Sequence, residues 1–130
     1  MSDNGYGYIR ASVRTAGGAV PVRRAIVTVK DENEALLAVF FTDESGNTPL
    51  LKVSAPPREN SESPDASGAA FALYNIDTDK AGFGSVRNIG VPVYSGTTSV
   101  QPVELVPLSE GDQWNYGDSI RYNESEAPNL

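Results

Sequence analysis

The chain contains no cysteine and no histidine, and only one methionine and one tryptophan. Without cysteine there are no disulfides, thiol nucleophiles or thiolate metal and iron–sulfur sites, while the redox compartment stays open. Without histidine the commonest acid–base group and metal ligand is gone, and with it any Ser-His-Asp arrangement. No apolar run approaches the roughly 20 residues of a membrane-spanning helix. The opening "MSDNGYGYIR" carries acid early and lacks the apolar core of a secretory leader, so the default expectation is a cytoplasmic chain of otherwise unassigned compartment. Positive charge is scarce as well: 10 bases face 17 acids, for a net charge of −7. Nucleic acids and anionic membrane surfaces both select a positive field, so neither is an expected partner.

At 130 residues the chain is one domain's worth, long enough to bury a core without covalent staples. Its 12 glycines and 9 prolines, with many Ser, Asn and Asp, point to a turn-rich all-β chain. "GYIRASVRT" has period two, with Ile9, Ala11 and Val13 on one face and Arg10, Ser12 and Arg14 on the other. "AGGAVP" interrupts it. "RAIVTVK" repeats the pattern with Ala25, Val27 and Val29 inward, which leaves Ile26 exposed or under a loop. "DENEA" is a polar turn. "LLAVFFT" is apolar on both faces and is expected to be covered on both sides. With "TPLLKVSA" across the short "DESGN" loop it reads as a β-hairpin.

"PPRENSESPDASGAA", from Pro56 onward, has no periodicity and is expected to be a long surface loop. "FALYNIDTD" places Tyr74, Ile76 and Thr78 on one face. "SVRNIGVPVYSG" and "TTSVQPVELVPL" read as the last strand pair, with Val103 and Leu105 directed one way and Gln101 and Glu104 the other. Pro92 and Pro102 lack N–H donors and belong at edges or bulges. That makes about seven short strands at spacings of roughly 8 to 15 residues, the pattern of a β-sandwich. After Leu108 the chain turns polar and acidic around Trp114, Tyr116, Ile120 and Tyr122, without a core-forming repeat.

The order of parts resembles the carboxypeptidase regulatory-like domain. The matching pieces are Pro21, the "A-x-V-x-V" strand from Ala25 to Val29, the "T-D-x-x-G" turn from Thr42 to Gly46, and the stretch from Tyr74 to Phe83. The resemblance spans residues 7 to 108 and implies a transthyretin-like (prealbumin-like) fold. "TDESGNTPLL" and "GVPVYSGTTSVQPVELVPL" look more narrowly like a module of Clostridia-type bacteria, often fused to peptidoglycan-binding repeats in spore- or wall-associated proteins. The chain has the module and no such repeat. The 5-hydroxyisourate hydrolases of the transthyretin-like group use histidines and a Tyr-Arg-Gly-Ser-type ending. This chain has no histidine and ends in "EAPNL", so that activity is not carried over.

Several groups invite chemistry. Asp43 and Glu44 are adjacent acids, but an acid–base pair must be held in a cleft with its pKa values driven apart. At a glycine turn, Asp43 is expected instead to accept from the turn's own amides. Asp31, Glu32 and Glu34, with Asp77 and Asp79, offer oxygens for calcium without EF-hand spacing, and solvated strand ends explain them as well. A Ser–Lys dyad using Lys30, Lys52 or Lys80 has nothing in their neighbourhoods to mark it. Arg23 and Arg24, with Arg10 and Arg14, are candidates for docking an anionic partner or are ordinary solvated charge. Trp114, Tyr116 and Tyr122 are candidates for partner or sugar contacts or for folding back on the chain's own sandwich.

The expectation is therefore an all-β, seven-stranded antiparallel transthyretin-like Greek-key β-sandwich over residues 5–108, followed by a polar tail over 109–130. With no cofactor expected, it is read as a non-catalytic structural or binding module. The resemblance points to a bacterial wall- or spore-associated assembly, with a protein or cell-wall polymer as partner. Edge strands or the tail offer routes to an oligomer. The alternative is a small carboxylate-dependent hydrolase, distinguished by two acids converging in one pocket.

Overall fold

The computed structural model describes residues 5–56 and 71–108 and the backbone of 120–122. The loop expected between Pro56 and Ala69 and the side chains of Trp114, Tyr116 and Tyr122 lie outside the described residues. The described chain forms nine strands: β1 (Gly5–Thr15), β2 (Val20–Pro21), β3 (Ile26–Asp31), β4 (Leu36–Phe41), β5 (Leu51–Ala55), β6 (Phe71–Asp79), β7 (Val86–Tyr94), β8 (Thr98–Glu104) and β9 (Ile120–Tyr122). β1, β2, β5 and β8 make one sheet, and the other runs β4-β3-β6-β7-β9. The result is the expected all-β sandwich. All seven sequence-predicted strands are present, and β2 and β9 are short additions. Two pairings are parallel rather than antiparallel, β1 with β8 and β7 with β9.

The period-two strands bury the predicted faces. Ile9, Ala11 and Val13 from β1 meet Val27 and Val29 from β3 and Tyr74 and Ile76 from β6 in the core between the sheets. Burying each large aliphatic side chain contributes roughly 1.5–3 kcal/mol. Hydrogen bonds also join the two layers. The Tyr74 hydroxyl on β6 donates to the Ser54 carbonyl on β5 at 2.6 Å, and the Ser99 hydroxyl on β8 donates to the Pro92 carbonyl on β7 at 2.7 Å. Gly7 on β1 packs against the end of β7, and a Cβ there would lie 2.5 Å from the Tyr94 carbonyl oxygen.

Three expectations about pairing and facing are corrected. β4 and β5 are not a hairpin: β4 pairs with β3 and β5 pairs with β1, so residues 42–50 cross from one sheet to the other. β7 and β8 likewise belong to different sheets. Gln101 faces inward with Val103 and Leu105, buried, its amide donating to the Pro102 carbonyl. A buried amide is tolerated where such a bond satisfies it. Pro102 lies on β8, which pairs only with β1 among the described residues, and Pro92 lies beyond the span of β7 that β9 covers. Each proline thus sits where one side of its strand has no strand partner among the described residues.

The crossing segment holds β1. Along one side of β1, β5 pairs with residues 5–9 and β2 with Arg14 and Thr15. Residues 42–48 fill the gap. Val13 donates to the Gly46 carbonyl at 2.7 Å, and the Thr48 amide donates to the Ala11 carbonyl at 3.0 Å. The Ala11 amide donates to the Thr48 hydroxyl oxygen at 3.0 Å. Asp43 behaves as expected of an Asx turn, its Oδ1 accepting from the amides of Ser45 and Asn47 at 2.9 and 3.0 Å. Thr42 accepts from the Ala25 amide and donates to the Val22 carbonyl, which ties the same segment to the start of β3.

Gly46 has φ +83°, and a Cβ there would come within 2.3 Å of the Val13 carbonyl oxygen. Gly82 has a similar φ of +88° with open space around it. Gly46→Ala should therefore cost about 2–3 kcal/mol in urea unfolding, against about 1 kcal/mol for Gly82→Ala, since only the first adds a backbone clash to the left-handed strain. Equal losses would remove the close approach as the reason for the glycine. Deleting residues 109–130 should leave a cooperative thermal transition at lower temperature, because β9 adds only three registered pairs to the edge of β7. An unfolded truncated chain would move the domain boundary past Leu108.

Candidate functional site

Arg23 and Arg24 occupy the exposed turn before β3. Arg24 adopts φ +61°, and its guanidinium lies 5.5 Å from the centre of the Phe41 ring, a cation–π distance. It also lines an open cleft of about 560 Å³ with Ile26, Asp79, Phe83, Ser85 and Leu108. The outer wall of the cleft is pinned in place: the Leu108 amide donates to the Gly82 carbonyl and the Gly84 amide to the Val106 carbonyl. The cleft mixes apolar surface with one carboxylate, Asp79, which accepts from the Ser85 hydroxyl. Arg10 and Arg14 are not beside Arg24. They project from the outer face of the other sheet, where Arg14 is in register with Glu104.

Of the acids considered for calcium, Asp31, Glu34, Asp77 and Asp79 are committed elsewhere. Asp31 Oδ1 accepts from the amides of Asn33 and Ala35 at 2.8 and 2.9 Å, which closes the β3–β4 turn. Glu34 and Asp77 converge on cations: Lys30 Nζ lies 3.5 Å from Glu34 and 3.1 Å from Asp77, and Arg87 contacts both acids. Burial works against the charged Glu34 carboxylate. Hydrogen bonds from Asn75 and Arg87 and the nearby positive charges outweigh it and hold the group below its ordinary value. The hydrogen bond to Asp77 raises Lys30. The cluster is a neutralised four-charge network on the outer face of the five-stranded sheet.

β4 departs most from expectation. "LLAVFF" is not covered on both sides. It is the edge strand of its sheet, with Leu36 63%, Val39 53% and Phe41 57% exposed and Leu37 also open to solvent. Beside Phe41, its register partner Ile26 is 40% exposed. An apolar run reads the same whether a second layer covers it or solvent does, so periodicity alone carried no signal of this. Tyr6 and Tyr8 are exposed as well. They continue the outward set of Arg10, Ser12 and Arg14 on β1, so the same period that places the arginines could have found them.

No protein-family model matches the sequence, and no curated protein matches it. Solved structures share the fold. Catechol 1,2-dioxygenase from Acinetobacter sp. ADP1 aligns with a TM-score of 0.55 at 10% identity, over 92% of this chain and 59% of its own. Catechol 1,2-dioxygenase from Pseudomonas arvilla C-1 gives the same figures. A minor pilin from Streptococcus agalactiae aligns with a TM-score of 0.54 at 11% identity, over 86% of this chain and 49% of its own. The chain thus spans about half to three-fifths of the length of the structures it matches. At such identities the likeness is one of fold.

The charge network gives a pH prediction. Glu34 is held below its ordinary value of 4.5, so its stabilisation is present above that value and is lost as pH falls through the lowered one. Lys30 is held above 10.5, so its share is present below that value and is lost as pH rises through the raised one. Solvent screening keeps both contributions small. Thermal melts of the wild type should drop on acidification below about pH 4.5, and Glu34→Gln should flatten part of that limb. Superimposable acid limbs would count against the network.

Proposed function

We propose that the chain is a non-catalytic structural or binding module of a bacterial wall- or spore-associated assembly, joined to a neighbour through the β4 edge. The observation that carries this reading is an uncharged apolar strand that, among the described residues, is left open at the edge of a five-stranded sheet. By period two from Thr42, whose amide donates to the carbonyl of Ala25 just before β3, the amides of Phe41 and Val39 face away from the sheet. Unpaired strand groups beside exposed apolar side chains recruit another strand, and soluble proteins usually protect such edges with charge, proline or a bulge. β4 has no charged residue and no proline, and its one irregularity, where the register with β3 skips Leu37, leaves the stretch from Ala38 to Phe41 regular. Two copies pairing there place no like charges opposite each other, despite the net charge of −7.

The wall or spore setting draws on the resemblance to carboxypeptidase regulatory-like modules. A pilin with the same sandwich is compatible with a structural part, although that likeness concerns fold alone. Support for a non-catalytic reading comes from where the acids are used: Asp43 and Asp31 close turns, Glu34 and Asp77 hold cations, and the Arg24 cleft has the one carboxylate, Asp79. A carboxylate-dependent hydrolase needs two acids converging in one cleft.

Sedimentation of the full chain over a range of concentrations tests the edge. The wild type should associate as concentration rises, and Val39→Lys should stay monomeric with an unchanged melting temperature, since Val39 is half exposed. A wild type that remains monomeric at the highest soluble concentration would remove β4 as the assembly surface.

A further inference from the structure

The strands of the five-stranded sheet balance three cations, Lys30, Arg87 and Arg121, against three acids, Asp31, Asp77 and Asp79, whereas those of the other sheet are net positive. The strands of the four-stranded sheet hold three cations, Arg10, Arg14 and Lys52, and one acid, Glu104. The whole chain is at −7. Arg14 and Glu104 are in register with each other at one end, where Arg14 donates to the Gly18 carbonyl and Glu104 accepts from the Gly17 amide. The remaining positive charge, Arg10 and Lys52, lies at the other end of the face.

That end is also aromatic. Tyr6 and Tyr8 project from β1 at successive outward positions, 44% and 37% exposed. Lys52 is in register with Tyr8, and its Nζ lies 4.5 Å from the centre of the Tyr6 ring. On the other side of β1, Thr98 flanks Tyr8 and Val100 flanks Arg10. No acid occupies any of these registered positions. The Nε of Arg10 is buried without a hydrogen-bond partner among the described residues. Tyr6 and Tyr8 are both open to solvent, and successive outward positions lie about 6.8 Å apart along a strand.

We propose that this outer face of the four-stranded sheet binds an acidic polysaccharide laid along β1. The apolar C–H faces of successive sugar rings stack on Tyr6 and Tyr8, and carboxylate or phosphate groups on the sugars meet Lys52 and Arg10. Charge complementarity selects an anionic polymer, since the cations stand out from a chain that otherwise repels one. The paired tyrosines select a polymer with flat apolar faces over a purely ionic one. A nucleic acid also combines phosphates with stacking faces, but its dense charge would meet the acidic remainder of the chain. The inference rests on the binding-module reading and names its ligand class. It uses the opposite sheet from β4, so edge variants report on assembly and sheet-face variants on the glycan, and either can fail alone.

The probes are polygalacturonate, a neutral glucan, polyglutamate and a single-stranded oligonucleotide, titrated calorimetrically into the full-length chain. Polygalacturonate should bind, more weakly as salt is raised, and the other three should not. Tyr8→Ser and Lys52→Glu should each weaken binding at least tenfold, whereas Val39→Lys should leave it unchanged. Thermal melts of each variant separate lost binding from lost folding, and Lys52→Arg should restore binding. Absence of polygalacturonate binding overturns the proposal. Equal binding of polyglutamate unaffected by Tyr8→Ser does so in favour of an acidic peptide, and preferential binding of the oligonucleotide does so in favour of a nucleic acid.

Discussion

The segment from Thr42 to Thr48 completes a strand pairing that no single strand supplies. β1 is the longest strand and the centre of its sheet, and one side of it is tiled by β5, this crossing segment and β2 in turn. The amides of Ala11 and Ala25 are both satisfied by threonine side chains of the segment rather than by a continuous ladder. A buried amide left without its acceptor costs about 1–3 kcal/mol. Because Ala11 belongs to one sheet and Ala25 precedes the first strand of the other, losing the segment would loosen both layers at once. The left-handed Gly46 and the Asp43 turn exist to hold that short stretch in place. Asp43, the first of two adjacent acids, is thus accounted for by backbone geometry.

The sequence was most legible where a strand has one buried face. In β1, β3 and β6 the residues placed on the inward face are buried, because period two reports on facing directly, and Asn75 on β6 is buried beside them from the other face. The Asp43 turn was equally readable, since an Asx turn is decided within five residues. Partner strands were less so. Two apolar segments around a short glycine loop look the same whether they fold into a hairpin or cross between sheets, and the difference is set by the distant partners β1 and β3. The parallel match of β1 with β8 joins segments about 90 residues apart and leaves no local signature. Gln101 was misplaced because a polar side chain that bonds a neighbouring carbonyl can face inward. At the candidate sites, Arg24 was named from sequence, but its stacking on Phe41 depends on the β3–β4 pairing that brings Phe41 beside Ile26.

The outer faces of the two sheets divide the surface chemistry. On the five-stranded sheet the acids and bases neutralise one another through Lys30, Glu34, Asp77 and Arg87, and apolar surface is left at the β4 edge. On the four-stranded sheet the cations outnumber acids and stand beside tyrosines. Both faces follow from the same constraint: once the inward positions are given to the core, every outward position is available for chemistry that the fold does not need.

The parallel pairing of β1 with β8 has a mechanical meaning. Seven residue pairs are in register, from Tyr8 with Thr98 to Arg14 with Glu104, and both strands run in the same direction. Tension applied to the start of β1 and the end of β8 pulls these strands past each other lengthwise. Their hydrogen bonds are then loaded together in shear, instead of being peeled one at a time as at the open end of a hairpin. A load carried through those two strand ends is therefore shared by the whole β1–β8 ladder at once.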